Sequence, residues 1–201
     1  DMMTLGAKSG SPAGITSAGA LTLVAASGIR IQDSLTADGV LVMNTGTSST
    51  LTVQTAKTVT ATNSAITVTT FDIDLDGSLT SGNKGTNLYG AKASQTIGLG
   101  ATAKDMHLGD DELGRITASG MTLGSSVSKT MTVDGVTEGN SEDITNFLSL
   151  VAKANEAEVL FVTKASTFDS LAVQADQGVV LSKAVLTTAA SGPGHLHFDG
   201  D

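Results

Sequence analysis

Ile15-Thr16-Ser17-Ala18-Gly19, Leu35-Thr36-Ala37-Asp38-Gly39, Val59-Thr60-Ala61, Leu79-Thr80-Ser81-Gly82 and Ile116-Thr117-Ala118-Ser119-Gly120 are one small motif written five times. Each copy is an aliphatic residue, a threonine and a small residue, and four of the five run on into a glycine. The first four copies begin 20 to 24 residues apart, and the fifth follows after roughly two such intervals. A period near 20 with several short strands per repeat is the signature of a solenoid coil. One coil cannot bury its own apolar side chains, but coils stacked about 4.8 Å apart bury them as continuous internal rows. The expected fold is therefore all-β, a parallel β-helix (β-solenoid). At that period residues 1–201 hold about nine or ten coils of roughly 20 residues in one continuous domain.

Outward from the motif the same pattern continues. Leu21, Leu23 and Ala25 alternate with Thr22 and Val24; Leu51 and Val53 alternate with Thr52 and Gln54. Ala65-Ile66-Thr67-Val68-Thr69, Phe71-Asp72-Ile73-Asp74-Leu75, Met131-Thr132-Val133, Leu171-Ala172-Val173 and Val179-Val180-Leu181 are further short strands bounded by Gly, Asn, Asp or Ser. A β-sandwich also has short alternating strands, but its strands do not usually recur as one five-residue motif in phase. Residues 141–157 read two ways. Ile144, Phe147, Leu148 and Val151 have helical spacing behind Ser141 as a cap, whereas Leu148, Leu150 and Ala152 suit a strand, which the neighbouring repeats favour. After Gly82 the intervals are irregular and coil boundaries are not fixed by the pattern.

The composition agrees with a core built from many similar small layers. Aromatics make up 3% of the chain, with no Trp and Tyr89 as the single tyrosine, so the core cannot rest on large rings. Charged residues are 15%, the net charge is −9, and Arg30 and Arg115 are the only arginines. Clustered cations to neutralise phosphates are lacking, so nucleic acid is not an expected partner, and anionic membrane surfaces are disfavoured on the same grounds. No apolar run approaches the roughly 18 residues of a membrane span. There is no cysteine, which leaves the redox compartment open. Asp1 in place of an initiator Met points to a processed product or a segment of a larger protein.

Ile97-Gly98-Leu99-Gly100, Leu108-Gly109-Asp110-Asp111-Glu112-Leu113-Gly114-Arg115-Ile116, Met121-Thr122-Leu123-Gly124 and Met131-Thr132-Val133-Asp134-Gly135-Val136 follow one another within residues 97–136. This stretch resembles a segment of the large β-helical surface proteins related to filamentous haemagglutinin, in which a similar I-G-L-G and E-L-x-x-I-x-A series recurs between coils. Thr167-Phe168-Asp169-Ser170-Leu171-Ala172-Val173 and Phe198-Asp199-Gly200-Asp201 also resemble their repeats. The resemblance implies a right-handed parallel β-helix in a long, exported, repetitive protein, set in an adhesin, a surface layer or an extracellular fibre. From the look of the two ends, with the residues after Asp1 able to follow directly on Asp201, the chain is expected to be one unit of a longer tandem repeat.

Candidate sites are few. Asp72-Ile73-Asp74-Leu75-Asp76-Gly77 opens like a calcium loop, but Asn83 stands where the bidentate acid belongs; in a strand Phe71, Ile73 and Leu75 point in and Asp72, Asp74 and Asp76 point out. Gly109-Asp110-Asp111-Glu112 is a compact acidic turn, a second candidate for calcium, although turn chemistry alone explains it. His195 and His197 share one strand face without an evident third ligand. The threonines at 50, 52, 55, 58, 60 and 62 raise ice binding, yet their spacing is not a strict Thr-x-Thr repeated at one point in each coil, and Thr is favoured in strands anyway. No nucleophile elbow, phosphate loop or His-Glu-x-x-His occurs, and the aromatic platforms of a polysaccharide-cleaving groove are missing, so catalysis is not expected.

The expected role is structural. The first and last coils of a β-helix leave unpaired strand edges that template another chain, and neither end of the sequence carries an obvious cap. Copies are expected to join end to end, by β-strand addition or by covalent continuation, into a stiff extracellular or cell-surface fibre through residues 2–15 and 185–201. The apolar side chains to carry the join are Met2, Met3, Leu5, Ile15, Val185, Leu186, Leu196 and Phe198. The alternative is an adhesin stalk or binding module for glycans or host proteins, with residues 83–89, read as a Gly-rich insertion around Tyr89, as the contact.

Overall fold

In the computed structural model, which describes residues 1–6, 14–188 and 194–200, the chain winds through eight coils of short strands, and every strand pairing in it is parallel. Each coil has three sides. The third side is the most regular: Leu21–Val24, Leu41–Asn44, Ile66–Thr70, Gly85–Gly90, Gly120–Ser125, Leu148–Ala152, Leu171–Ala175 and Leu196–Asp199 form one unbroken eight-stranded sheet. Two inward columns run its whole length. One is Leu21, Leu41, Ile66, Thr86, Met121, Leu148, Leu171 and Leu196; the other is Leu23, Met43, Val68, Leu88, Leu123, Leu150, Val173 and Phe198.

The recurring motif forms the second side. Ile15–Ser17, Leu35–Ala37, Thr58–Ala61, Ser78–Thr80 and Ile116–Thr117 pair in that order. Their first residues, Ile15, Leu35, Val59, Leu79 and Ile116, stack inward, and Thr16, Thr36, Thr60, Thr80 and Thr117 stack outward. One threonine thus recurs at one point in each of five consecutive coils on the second side, without forming a strict Thr-x-Thr. A single bridge from Ala118 to Ile144 follows, and Ser166–Phe168 pairs with Val185–Thr187 further on.

The fifth copy of the motif lies directly beside the fourth, although Thr117 follows Thr80 by 37 residues. That interval is one long coil rather than two, which brings the count to eight, near the nine or ten expected. The surplus residues form an excursion on the first side. Ile97–Gly100 is laid down one level ahead, residues 101–105 run back, and Met106–Leu108 pairs parallel beside it, followed by a short α-helix, Asp110–Leu113. Adjacent parallel strands usually need a connection of about a dozen residues. Five suffice here because the loop crosses straight over Gly98, where an added Cβ would overlap Thr102 O. His107 Nε2 donates to Gly100 O at 2.7 Å and holds the returned strand.

The first side is therefore in two parts. Met3–Leu5, Ile29–Ile31, Thr50–Val53 and Asp72–Leu75 form one sheet; Met106–Leu108, Ile97–Gly100, Met131–Asp134, Glu158–Phe161 and Gly178–Leu181 form another. The core between the sides is almost wholly aliphatic, with Phe161 and Phe168 its largest members. One corner is polar. Thr45, Thr70, Gln95 and Ser128 are buried at successive exits from the third side. Thr70 Oγ1 contacts Thr45 Oγ1 at 2.7 Å and accepts from Leu51 N at 3.2 Å, and Gln95 Nε2 donates to Phe71 O at 2.7 Å. Such partners are needed because buried backbone groups at a corner leave the strand ladder.

Two local expectations are corrected. Residues 83–89 are not an inserted loop: Gly85–Gly90 is a regular strand of the third side, and its buried Thr86 and Leu88 hold it in the core columns. Phe71 does not point into the core with Ile73 and Leu75; it sits half-buried at the corner before its strand. In residues 141–157 the strand reading holds, as Leu148–Ala152, preceded by a 3-10 turn at Glu138–Asn140. Ser141 caps no helix there; its Oγ donates to Glu138 O and accepts from Asp169 N.

Candidate functional site

The side chains proposed to carry an end-to-end join sit on the two terminal coils. At the first coil Met3 and Leu5 face inward opposite Ile29 and Ile31, and Ile15 faces inward opposite Leu35. At the last coil Val179 and Leu181 continue the inward row of Val159 and Phe161, Val185 that of Ser166, and Leu196 and Phe198 that of Leu171 and Val173. Phe198 meets Phe161 edge-on at 6.2 Å between ring centres. Inside the stack these rows are dry, with Phe161 1% and Leu171 0% exposed; on the last coil Leu181 is 51% and Leu196 43% exposed. Leu186, opposite Thr167, points outward, and Met2 lies at a corner before its strand, so these two are not part of the inward rows. Among the described residues the outer edges of Met3–Leu5, Ile15–Ser17 and Leu21–Val24, and of Gly178–Leu181, Val185–Thr187 and Leu196–Asp199, pair with no further strand. Residues 7–13, 189–193 and 201, which belong to the expected terminal stretches, lie outside the described residues.

The six carboxylates considered for calcium do not converge. Asp72 and Glu112 instead close the seam on the first side between Asp72–Leu75 and Met106–Leu108. There the backbone ladder is absent, and side chains replace it. Asp72 Oδ1 accepts His107 N–H at 2.9 Å, Glu112 Oε1 accepts Leu75 N–H at 2.8 Å, and Arg115 Nη1 donates to Leu75 O at 2.9 Å. The other oxygen of Glu112 accepts Gly109 N–H at 2.7 Å, so one carboxylate also fixes the start of the short helix. Asp110 is engaged elsewhere: it accepts from Thr137 N at 2.9 Å, Thr137 Oγ1 at 2.9 Å and Asn140 Nδ2 at 2.8 Å. Asp74 and Asp76 are exposed and line a polar cleft that Arg30 also lines, two coils away in the outward column of Asp74. Asp111 is exposed apart from them. Among the described residues no three His, Asp or Glu side chains form a group that could hold a metal ion. His195 stacks at 5.8 Å on Phe147, away from any such role, and His197 points outward on the last strand of the third side.

An open cleft of about 710 Å³ lies beside the excursion. Its floor is Gly100, Gly135, Val136 and Ala165, and the exposed groups at its rim are Asp111, Glu138 and Lys164. No sequence pattern pointed to it, because it forms beside the short helix Asp110–Leu113 and the 3-10 turn Glu138–Asn140, which interrupt the strand pattern. Tyr89, the other expected contact, is half-buried and stands outward on the third side, opposite Thr69. No helix among the described residues is long and apolar enough to cross a membrane, which says nothing of strands.

Comparison with protein-family models, with curated proteins and with solved structures found no match to this chain.

Proposed function

We propose that the chain is a structural module, a stiff β-solenoid rod that forms part of an extracellular or cell-surface fibre, with copies meeting end to end through their terminal coils. The observation that carries this reading is the exposure of the last coil's inward apolar row, buried at every equivalent position inside the stack. Fully burying such a side chain is worth roughly 1.5–3 kcal/mol. Covering half-exposed Leu181 and Leu196, with Val179, Val185 and Phe198, contributes on the order of 5 kcal/mol. Association costs about 4–15 kcal/mol in lost freedom, so backbone pairing on three sides has to supply the remainder. Copies that each carry −9 repel one another, and salt screens that repulsion over about 8 Å at physiological strength. Assembly therefore rises with protein concentration and with salt. Electron microscopy and sedimentation of the 201-residue chain across a salt series test this. Filaments the width of one coil, lengthening with salt, are expected; a monodisperse monomer at millimolar concentration in every salt overturns the reading.

A second reading, a module that contacts glycans, rests on the polar cleft. Two free carboxylates and one amine around a glycine floor suit a hydroxylated ligand. Glycan-array binding that disappears in Lys164→Ala would favour it, and an array blank for the unaltered chain would remove it.

A further inference from the structure

We infer that the junction between copies, which rests on the fibre reading above, is head-to-tail and continues the register of the third side, with Leu196 of one copy over Leu21 of the next and Phe198 over Leu23. The polarity follows from the shape of a coil. Its three sides follow one another in a fixed sense, so head-to-tail stacking sets every side on its own counterpart. A head-to-head or tail-to-tail stack reverses that sense, sets the first side on the second, and turns every pairing antiparallel.

The register follows from the third side alone, because it is the side without a seam. Across seven successive coil junctions its two inward columns advance with no slip, from Leu21 to Leu196 and from Leu23 to Phe198. The last strand, Leu196–Asp199, and the first, Leu21–Val24, each have four residues, the same length and the same inward positions. Placed in column, the inward pairs are apolar on apolar. The outward pairs are His197 on Thr22 and Asp199 on Val24, so on this side no carboxylate meets another despite the net charge of −9. A slip of one residue would turn Phe198 outward and His197 into the core. A slip of two would leave half of each strand without a partner.

The absence of cysteine from the chain makes the test clean. Neighbouring strands place facing residues about 4.8 Å apart, inside the roughly 4.4–6.8 Å range of Cα separations that a disulfide spans. Thr22 and His197 are both exposed and outward, so a Thr22→Cys/His197→Cys double variant keeps the core. Within one copy the two positions are seven coils apart and cannot join. On mild oxidation the double variant is expected to give a ladder of dimers, trimers and longer species on a non-reducing gel, which collapses with reductant. An equimolar mixture of the two single variants is expected to stop at dimers, and each single variant alone to stay monomeric. Dimers from His197→Cys or Thr22→Cys alone would overturn the polarity. A ladder from Val24→Cys/His197→Cys in place of the Thr22 pair would overturn the register. Filaments by microscopy without any of these cross-links would sink the junction while leaving the fibre; neither filaments nor cross-links would sink both.

Discussion

Replacing Glu112 by alanine removes one carboxylate that two backbone amides share. Leu75 N–H donates to Oε1 at 2.8 Å and Gly109 N–H to Oε2 at 2.7 Å. Leu75 is fully buried, at the edge of a strand whose neighbour, Met106–Leu108, offers it no ladder carbonyl. Leaving a buried donor unmet costs about 1–3 kcal/mol, and more where the lost partner was charged. Gly109 is better placed to recruit water, so its loss sits at the lower end of that range. Glu112→Ala should therefore destabilise the chain by about 2–4 kcal/mol, a fall in melting temperature of roughly 4–16 °C at this length. Glu112→Gln keeps the shape and one acceptor but brings an NH₂ group against one of the two amides, so about half of that loss is expected. The assay is denaturant unfolding together with hydrogen exchange of single amides. Leu75 and Gly109 should both lose protection in Glu112→Ala and one of the two in Glu112→Gln, while Leu23 and Met43, far down the third side, should keep it unless the whole chain opens. Glu112→Ala within about 0.5 kcal/mol of the parent, with Leu75 still protected, would refute the claim that this side chain stands in for a missing strand partner.

Other outcomes follow from the same geometry. Gly98→Ala puts a Cβ into the crossing loop, far inside the 3.0 Å that real Cβ contacts respect, and against backbone that cannot swing away; a loss of about 2–4 kcal/mol by urea titration is expected, above the usual 1–3 for overpacking. Thr70→Val keeps the volume but leaves Leu51 N–H without its buried acceptor, while the Thr45 hydroxyl keeps only Ser49 O, and should cost about 2 kcal/mol by calorimetry. Leu196→Lys places a charge on the exposed inward row of the last coil; sedimentation should show that assembly is lost, while circular dichroism of the monomer is unchanged. Calcium or a chelator should shift the melting temperature by less than about 1 °C, because Asp72, Asp110 and Glu112 already accept hydrogen bonds from the chain; a larger rise with calcium would return the acidic turn to the list of ion sites.

The five-fold motif was enough to place the second side residue by residue, because an aliphatic, a threonine and a small residue in phase can stack only one way once coils are parallel. Tyr89 and Leu88 show where such reading stops. Glycines on both sides look like a loop, and only the column of Val68, Leu88 and Leu123 shows the strand. The excursion was equally hidden: Ile97–Gly100 and Met106–Leu108 have the alternation of any two strands, and nothing local says that they belong to one side of one coil. Asp72 and Glu112 were picked out as acids, but for the wrong chemistry. Their partners lie 35 and 37 residues away in sequence, and a carboxylate that binds an ion differs from one that replaces a carbonyl only in what surrounds it.

The seam also has a mechanical meaning. Bonds between coils lie along the axis of the rod, so a pull on its two ends loads all the bonds of one junction together and each junction in series. Between the third and fourth coils that load is shared by four residue pairs on the first side, three on the second and five on the third. Between the fourth and fifth it falls on two pairs on the second side and four on the third, with none on the first. Asp72, Glu112 and Arg115 bridge the gap with side-chain hydrogen bonds, helped at the corner by Gln95 on Phe71 O. The rod has a built-in weak link at its middle. Under tension it opens there first, into two blocks of four coils, before either block frays.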